Sequence, residues 1–221
     1  MPAAAFRRAS DLPQVIPVFP LDGALLLPGG DLPLQIFEPR YLNMIDDVMA
    51  GDRMIGMVQT RQGGDRTRPN LAGVACSGRV TSFSETSDGR YLINLTGVCR
   101  FLVREELSVA TPYRQVRAEF EPYADDLSVE AAPIPDFDRR RFAGALKRYL
   151  NRRELDIDWE TAETAPLESL VTSLAMGLPF EPAEKQALLE APTVADRCDA
   201  LTALLEIDSL EPDDDGPHSI Q

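Results

Sequence analysis

The side chains that could do chemistry in this chain are few and widely separated. Its one histidine, His218, lies in an acidic C-terminal stretch, so a Ser-His or Cys-His nucleophile pair has no base within the body of the protein. Two lysines, Lys147 and Lys185, both fall in helical patterns, and neither belongs to a G-x-x-x-x-G-K-[ST] loop that would cradle phosphates. Cys76, Cys99 and Cys198 are odd in number, far apart and without a C-x-x-C pair, which argues against a zinc site or a disulfide framework. Each sits in an apolar pattern and reads as a small buried hydrophobe of a reducing, cytoplasmic compartment. Asp125-Asp126 and Asp213-Asp214-Asp215 lack the D-x-D-x-D-G spacing of a calcium loop. No metal, no cofactor and no catalytic residue is expected, and the protein is read as not an enzyme.

What remains are recognition groups. Glu38 and Arg40 flank the start of a helix, where they either line a ligand site or cap the helix and pair with each other. Arg61, Arg66 and Arg68 punctuate a Gly-rich stretch that reads as a solvated, flexible loop, with an acidic partner or RNA phosphates as the functional alternative. Phe137, Phe142 and Tyr149 read as core, and Trp159 has no assigned place.

The elements that must position these groups are legible from periodicity. Val15 to Leu21 is a short apolar run interrupted by Pro17 and Pro20, which cannot donate to a ladder and so predict an edge strand or a barrel rim rather than a central strand. Leu25-Leu26-Leu27, a Pro28-Gly29-Gly30 turn and the extended Leu32 to Phe37 follow. Pro39 then suits the first turn of a helix carrying Tyr41, Leu42, Ile45, Val48 and Met49 at helical spacing, with Gly51 ending it. Beyond it come strands at Arg53 to Thr60, Leu71 to Glu85, Arg90 to Thr96, Val98 to Leu107 and Tyr113 to Tyr123, with Asp88-Gly89 as a type I′ hairpin turn and Gly97 as a break. Six or seven strands in 123 residues predict a closed or nearly closed barrel.

The period then changes from two to 3.6. The acidic, proline-bearing segment 124–135 reads as a linker, and Asp136 as the N-cap of a helix carrying Phe142, Ala145, Leu146, Tyr149 and Leu150. Further helices are predicted from about Ala165 to Met176, from Pro182 through Glu190, and after a capping-box-like Thr193 and Asp196. The boundaries are therefore a disordered N-terminus 1–14, a barrel 15–123, a linker 124–135, a helical subdomain 136–206 of about four helices, and an acidic disordered tail 207–221. The formal charge of −14 repels phosphate backbones and argues against nucleic acid. No run approaches the roughly 20 apolar residues that cross a bilayer, and Asp11 and Pro13 interrupt where a signal peptide would continue.

Pro17-Val18-Phe19-Pro20-Leu21, Pro28, Leu32-Pro33-Leu34, Ile36-Phe37-Glu38 and Arg40-Tyr41 together resemble the opening of the Lon substrate-binding domain, the N-terminal domain of the ATP-dependent Lon proteases. Gly97, Arg100 and Phe101 match a later element of that family. Leu178-Pro179-Phe180, Glu184-Lys185-Gln186, Leu188-Leu189-Glu190, Val194, Arg197, Leu201 and Leu204-Leu205 match its helical part.

The resemblance covers roughly residues 15–206 and implies an α+β fold, a PUA-like β-barrel with one embedded helix followed by helices. It also implies a non-catalytic polypeptide-binding module, a substrate-recognition or adaptor part that works with a separate protease. The ATPase and peptidase parts of full-length Lon lie outside the match, and neither lysine has a serine in the context of the family's peptidase site. Two binding routes are open: strand addition along Val15 to Leu21, or capture of apolar side chains in a cleft formed by Phe37, Glu38, Arg40, Tyr41 and Met44. An RNA-binding PUA-like module, or an enzyme using the barrel mouth, is the alternative.

Overall fold

A computed structural model describes residues 6–65, 68–128 and 137–210. In chain order its first part comprises β1 (Val15–Pro20), β2 (Asp31–Ile36), α1 (Pro39–Ala50), β3 (Met54–Val58), β4 (Thr60–Asp65), β5 (Arg68–Leu71), β6 (Val74–Glu85), β7 (Tyr91–Glu106) and β8 (Arg114–Glu119). Six of these form one sheet in the order β2-β7-β6-β3-β1-β8, and a further β7–β8 pairing closes it. The closed ring is thus β7-β6-β3-β1-β8, and β2 is an extra strand attached to the N-terminal half of β7. The pairing of β1 with β3 is parallel and the other pairings are antiparallel.

This places the free edge elsewhere than the prolines of β1 suggest. β1 lies inside the ring, paired with β3 on one side and β8 on the other. Its two partners overlap only at Val18: Pro17 is paired with Gln115 of β8 alone, and Pro20 with Val58 of β3 alone. Each proline therefore sits where one neighbour is missing, which is how a strand without those N–H groups can be interior. Strand addition along Val15 to Leu21 therefore finds no continuous free edge.

A single β7 runs through Gly97 where a break was expected. Gly97 pairs with Gly78 across the sheet, beside a register shift in β6. The Leu25 to Leu27 segment crosses directly over this pair, and a Cβ on Gly97 would lie 1.9 Å from the Leu27 carbonyl oxygen. Glycine is required here for close approach of two backbones rather than for a bend. Backbone bonds from Gly29 N–H to Gly97 O (3.0 Å) and from Gly97 N–H to Gly30 O (2.8 Å) hold the crossing segment down.

Other local differences have equally local causes. The described parts of the Arg61 to Asn70 stretch form a two-stranded β4–β5 ribbon with a bulge, and Arg66 and Thr67 lie outside the described residues. Of the Asp88-Gly89 pair only Gly89 has positive φ (77°), and its N–H bonds Thr86 O, so the hairpin uses a hydrogen-bonded Thr86 to Gly89 turn closed by a left-handed glycine instead of type I′. Residues Glu121–Leu127 form 3-10 turns across the end of the last predicted strand and the start of the predicted linker 124–135, whose part from 129 on lies outside the described residues. Leu12 is buried and a 3-10 turn covers Ala9–Asp11, so the described part of the N-terminus is ordered.

The second part contains α2 (Arg139–Arg152), α3 (Trp159–Thr164), α4 (Leu167–Gly177), α5 (Pro182–Glu190) and α6 (Val194–Leu210). Asp136 is outside the described residues; Asp138 caps α2, accepting from the Arg140 and Arg141 N–H groups at 3.0 Å. Trp159 opens the short α3, an element the periodicity did not show. Thr193 and Asp196 do exchange reciprocal capping bonds before α6, which runs past residue 206 to Leu210. Residues 211–221, with His218, lie outside the described residues.

Two apolar clusters hold these layers together. One fills the ring, with Ile16, Val18, Val58, Cys99, Phe101 and Val116 fully or almost fully buried. The other joins the outer face of the sheet, the Leu25 to Leu27 crossing, α1 and α2 with α4 to α6 in one continuous core. No gap between cores separates barrel from helices.

Arg100 of β7 bolts that seam. It is 4% exposed, pairs with Asp126 and donates to the carbonyl oxygens of Leu189, Ala191 and Pro192 at the end of α5.

Candidate functional site

Of the five residues offered by the sequence, Glu38, Arg40 and Tyr41 touch in series, while Phe37 and Met44 stand apart from them. Phe37 stands 62% exposed with only the Arg90 guanidinium, 6.0 Å from its ring, as an aromatic-face neighbour. Glu38 precedes α1 but makes no side-chain cap; its carboxylate accepts from Arg40 Nε at 2.9 Å and Nη2 at 2.8 Å. The Arg40 guanidinium in turn lies 4.5 Å from the Tyr41 ring. Tyr41 is buried against Phe19, ring centroids 4.2 Å apart, and burial pushes its phenol above the usual range.

Met44 is completely buried and belongs to the core. A helix start explains this split, because residues 41 and 44 face inward while 38 and 40 face solvent. Met44 therefore leaves the candidate site, and the cleft expected around it is filled with protein.

An accessible groove lies instead at β2, the strand of the six-stranded sheet that stands outside the ring. β2 pairs with β7 from Asp31↔Thr96 to Ile36↔Tyr91 and, among the described residues, has no partner on its other side. Its first three residues, with the turn before them, share with α4 a groove of about 470 Å³, lined by Pro28 to Pro33 and by Glu168, Ser169, Thr172, Ser173, Met176 and Gly177. Gly30 sits directly beneath Met176, where a Cβ would come within 2.3 Å of its sulfur, so the start of β2 is drawn close to the helix.

The outer face of β2 is fixed by a polar ladder. Asp31 accepts from Asn94 Nδ2 (2.9 Å) and Thr96 Oγ1 (2.6 Å), which tie the strand to β7. The groove therefore has a rigid wall on the strand side.

A second, more apolar groove of about 610 Å³ lies on the other flank of α4, between it and the segment leading into α3. Ser169, Ser173 and Gly177 line both grooves. They recur every four residues on the exposed side of α4, opposite the buried Val171, Leu174 and Ala175. The signal for this ridge, three small residues at i, i+4 and i+8, stands in the sequence but looks like an ordinary solvated face until β2 is placed beside it.

Lys185 is buried, which lowers its pKa, the environment of an activated lysine. Its Nζ donates to the carbonyl oxygens of Gly23 (2.8 Å) and Met176 (3.3 Å) rather than to a serine hydroxyl. It acts as a tie between α5, the β1–β2 connection and the C-terminus of α4. Among the described residues no group of three or more metal-ligating side chains converges, and no helix is long and apolar enough to cross a membrane.

Comparison with known proteins agrees with this architecture. The sequence matches the family described as the ATP-dependent protease La (LON) substrate-binding domain over residues 15–206. Lon protease 2 of Myxococcus xanthus is 27% identical over 201 residues, covering 88% of this chain and 24% of that protein. The Lon protease of Anaeromyxobacter dehalogenans is 31% identical over 129 residues, 56% of this chain and 15% of the relative.

The chain thus spans a quarter or less of the length of these relatives. Among solved structures, a Lon N-terminal domain protein from Xanthomonas campestris superposes with TM-score 0.59 at 21% identity, covering 86% of this chain and 97% of that one. The N-terminal domain of a Mycobacterium avium complex Lon protease gives TM-score 0.55 at 16% identity, covering 87% and 98%. The family match covers most of the chain and the α+β architecture is shared with these domains, so the chain belongs to the Lon substrate-binding domain family.

Proposed function

We propose that this chain is a non-catalytic polypeptide-binding module, and that the bound segment adds as an extended strand to the free edge of β2 within the groove against α4. The observation that carries the reading is that unpaired edge: a strand outside the closed ring, paired with β7 on one side and, among the described residues, with nothing on the other, whose first residues line a groove walled by α4. Backbone pairing supplies affinity that any extended polypeptide can use, which suits a substrate-recognition module with many clients. The family's description as a substrate-binding domain supports the same assignment. Handing such segments to a separate protease is the adaptor role that follows, in a reducing cytoplasm that suits three free, buried cysteines.

The test is fluorescence anisotropy with labelled, carboxymethylated α-lactalbumin, which stays unfolded. Ser173→Trp on the exposed ridge of α4 fills the groove and is expected to weaken binding about tenfold or more, on the order of 1.4 kcal/mol. Unchanged affinity in that variant rejects the groove.

A further inference from the structure

Resting on that polypeptide-binding reading, we infer that the two grooves flanking α4 form one recognition site, and that it selects segments carrying a large apolar side chain together with lysine or arginine. The grooves meet along Ser169, Ser173 and Gly177, so a chain paired with β2 passes over the ridge without meeting a bulky side chain. Beyond the ridge, Leu150, Leu155, Ile157, Leu170, Leu174 and Leu178 offer an apolar wall, with Leu155 still 40% exposed. An apolar side chain placed there leaves water, which favours binding in proportion to the apolar area buried.

Charge sets the rest of the specificity. Asp31 and Glu168 line the first groove, Asp156 and Asp158 the second, and among the described residues no lysine or arginine lines either. Three of these carboxylates are fixed by local bonds: Asp31 from Asn94 and Thr96, Asp156 from the Ile157 N–H, and Asp158 from the Thr161 N–H and hydroxyl. They are anions held in place along the path of the bound segment. A segment with lysine or arginine beside its apolar anchor meets complementary charge at both ends, and one with glutamate meets repulsion at both.

The experiment uses four labelled peptides of one length with the same Val/Thr-rich strand half. Three share a Phe anchor and differ in flanking pairs of Lys, Gln or Glu; the fourth has the Lys flanks and Ser in place of Phe. The expected order is Lys, then Gln, then Glu, with roughly tenfold between the extremes at low salt and a smaller spread at high salt. The Phe to Ser change should cost about tenfold, and Glu168→Lys should narrow the charge spread. Ala165→Trp, which fills the second groove, should remove the Phe advantage and leave the charge preference.

Peptides that all bind with affinity indifferent to flank and anchor overturn this inference while leaving strand addition standing. If none binds, and unfolded α-lactalbumin does not bind either, the polypeptide-binding reading itself fails.

Discussion

Arg100 and Asp126 form a two-point ion pair, Nε to Oδ2 at 2.9 Å and Nη2 to Oδ1 at 2.8 Å, where the barrel meets the helices. The Tyr123 ring lies 4.6 Å from the same guanidinium, and three carbonyl oxygens take its remaining donors. Arg100→Met strands a nearly buried carboxylate and opens three carbonyl contacts, so it is expected to cost about 3–5 kcal/mol. Urea unfolding of Arg100→Met, Asp126→Asn and the double variant measures this; a strictly additive double variant would show that the pair is not coupled.

Gly97 is predicted to tolerate no side chain, since the intruding atom would meet the Leu27 backbone rather than a flexible side chain. Gly97→Ala should destabilise by about 3 kcal/mol, the upper end for overpacking, or prevent folding. Gly73→Ala, where a Cβ meets nothing within 4 Å, is the control and should stay folded. Melting temperatures of the two separate a close-approach requirement from a general intolerance of β6 and β7.

The thiols give the pH dependence. Burial pushes Cys99 up to about 12 and Cys198 up to about 11, and Cys76 well above its ordinary value of 9.0. A folded-state pKa above the unfolded one means stability that is complete below the ordinary thiol range and lost as pH rises through about 11 to 12. At pH 8 all three should resist Ellman's reagent in the native protein and react once urea unfolds it. Rapid labelling of any of them in native buffer would contradict their burial.

Two residues from the sequence-derived site should now part company. Met44→Ala removes a fully buried side chain and should cost about 2–5 kcal/mol. Phe37→Ala, on an exposed ring, should change stability by less than about 0.5 kcal/mol and leave affinity for unfolded protein intact. A large affinity loss in Phe37→Ala with normal stability would return the site to the start of α1.

The contrast between these residues shows what periodicity can and cannot reveal. The placement of α1 and α5, the capping of α6 and the buried cysteines follow from local pattern, because helix starts and apolar stripes are written in neighbouring residues. Pro17 and Pro20 announce missing ladder partners but do not separate a free edge from a barrel rim, because strand pairing is decided by distant partners: Gln115 and Val58 each cover one side of a proline. Gly97 reads as a break for the same reason, since the Leu27 carbonyl above it is 70 residues away in sequence. The groove belongs to β2 and α4, which are separated by more than 130 residues, so neither half announces it alone.

The central claim is strand addition at β2, and amide hydrogen exchange with and without unfolded α-lactalbumin tests it most directly. The account predicts that protection rises in peptides covering Asp31–Ile36 and Leu167–Gly177, while Pro39–Ala50 and the ring strand Val15–Pro20 stay as they were. Binding accompanied by unchanged exchange in β2, with new protection at α1 instead, would contradict it.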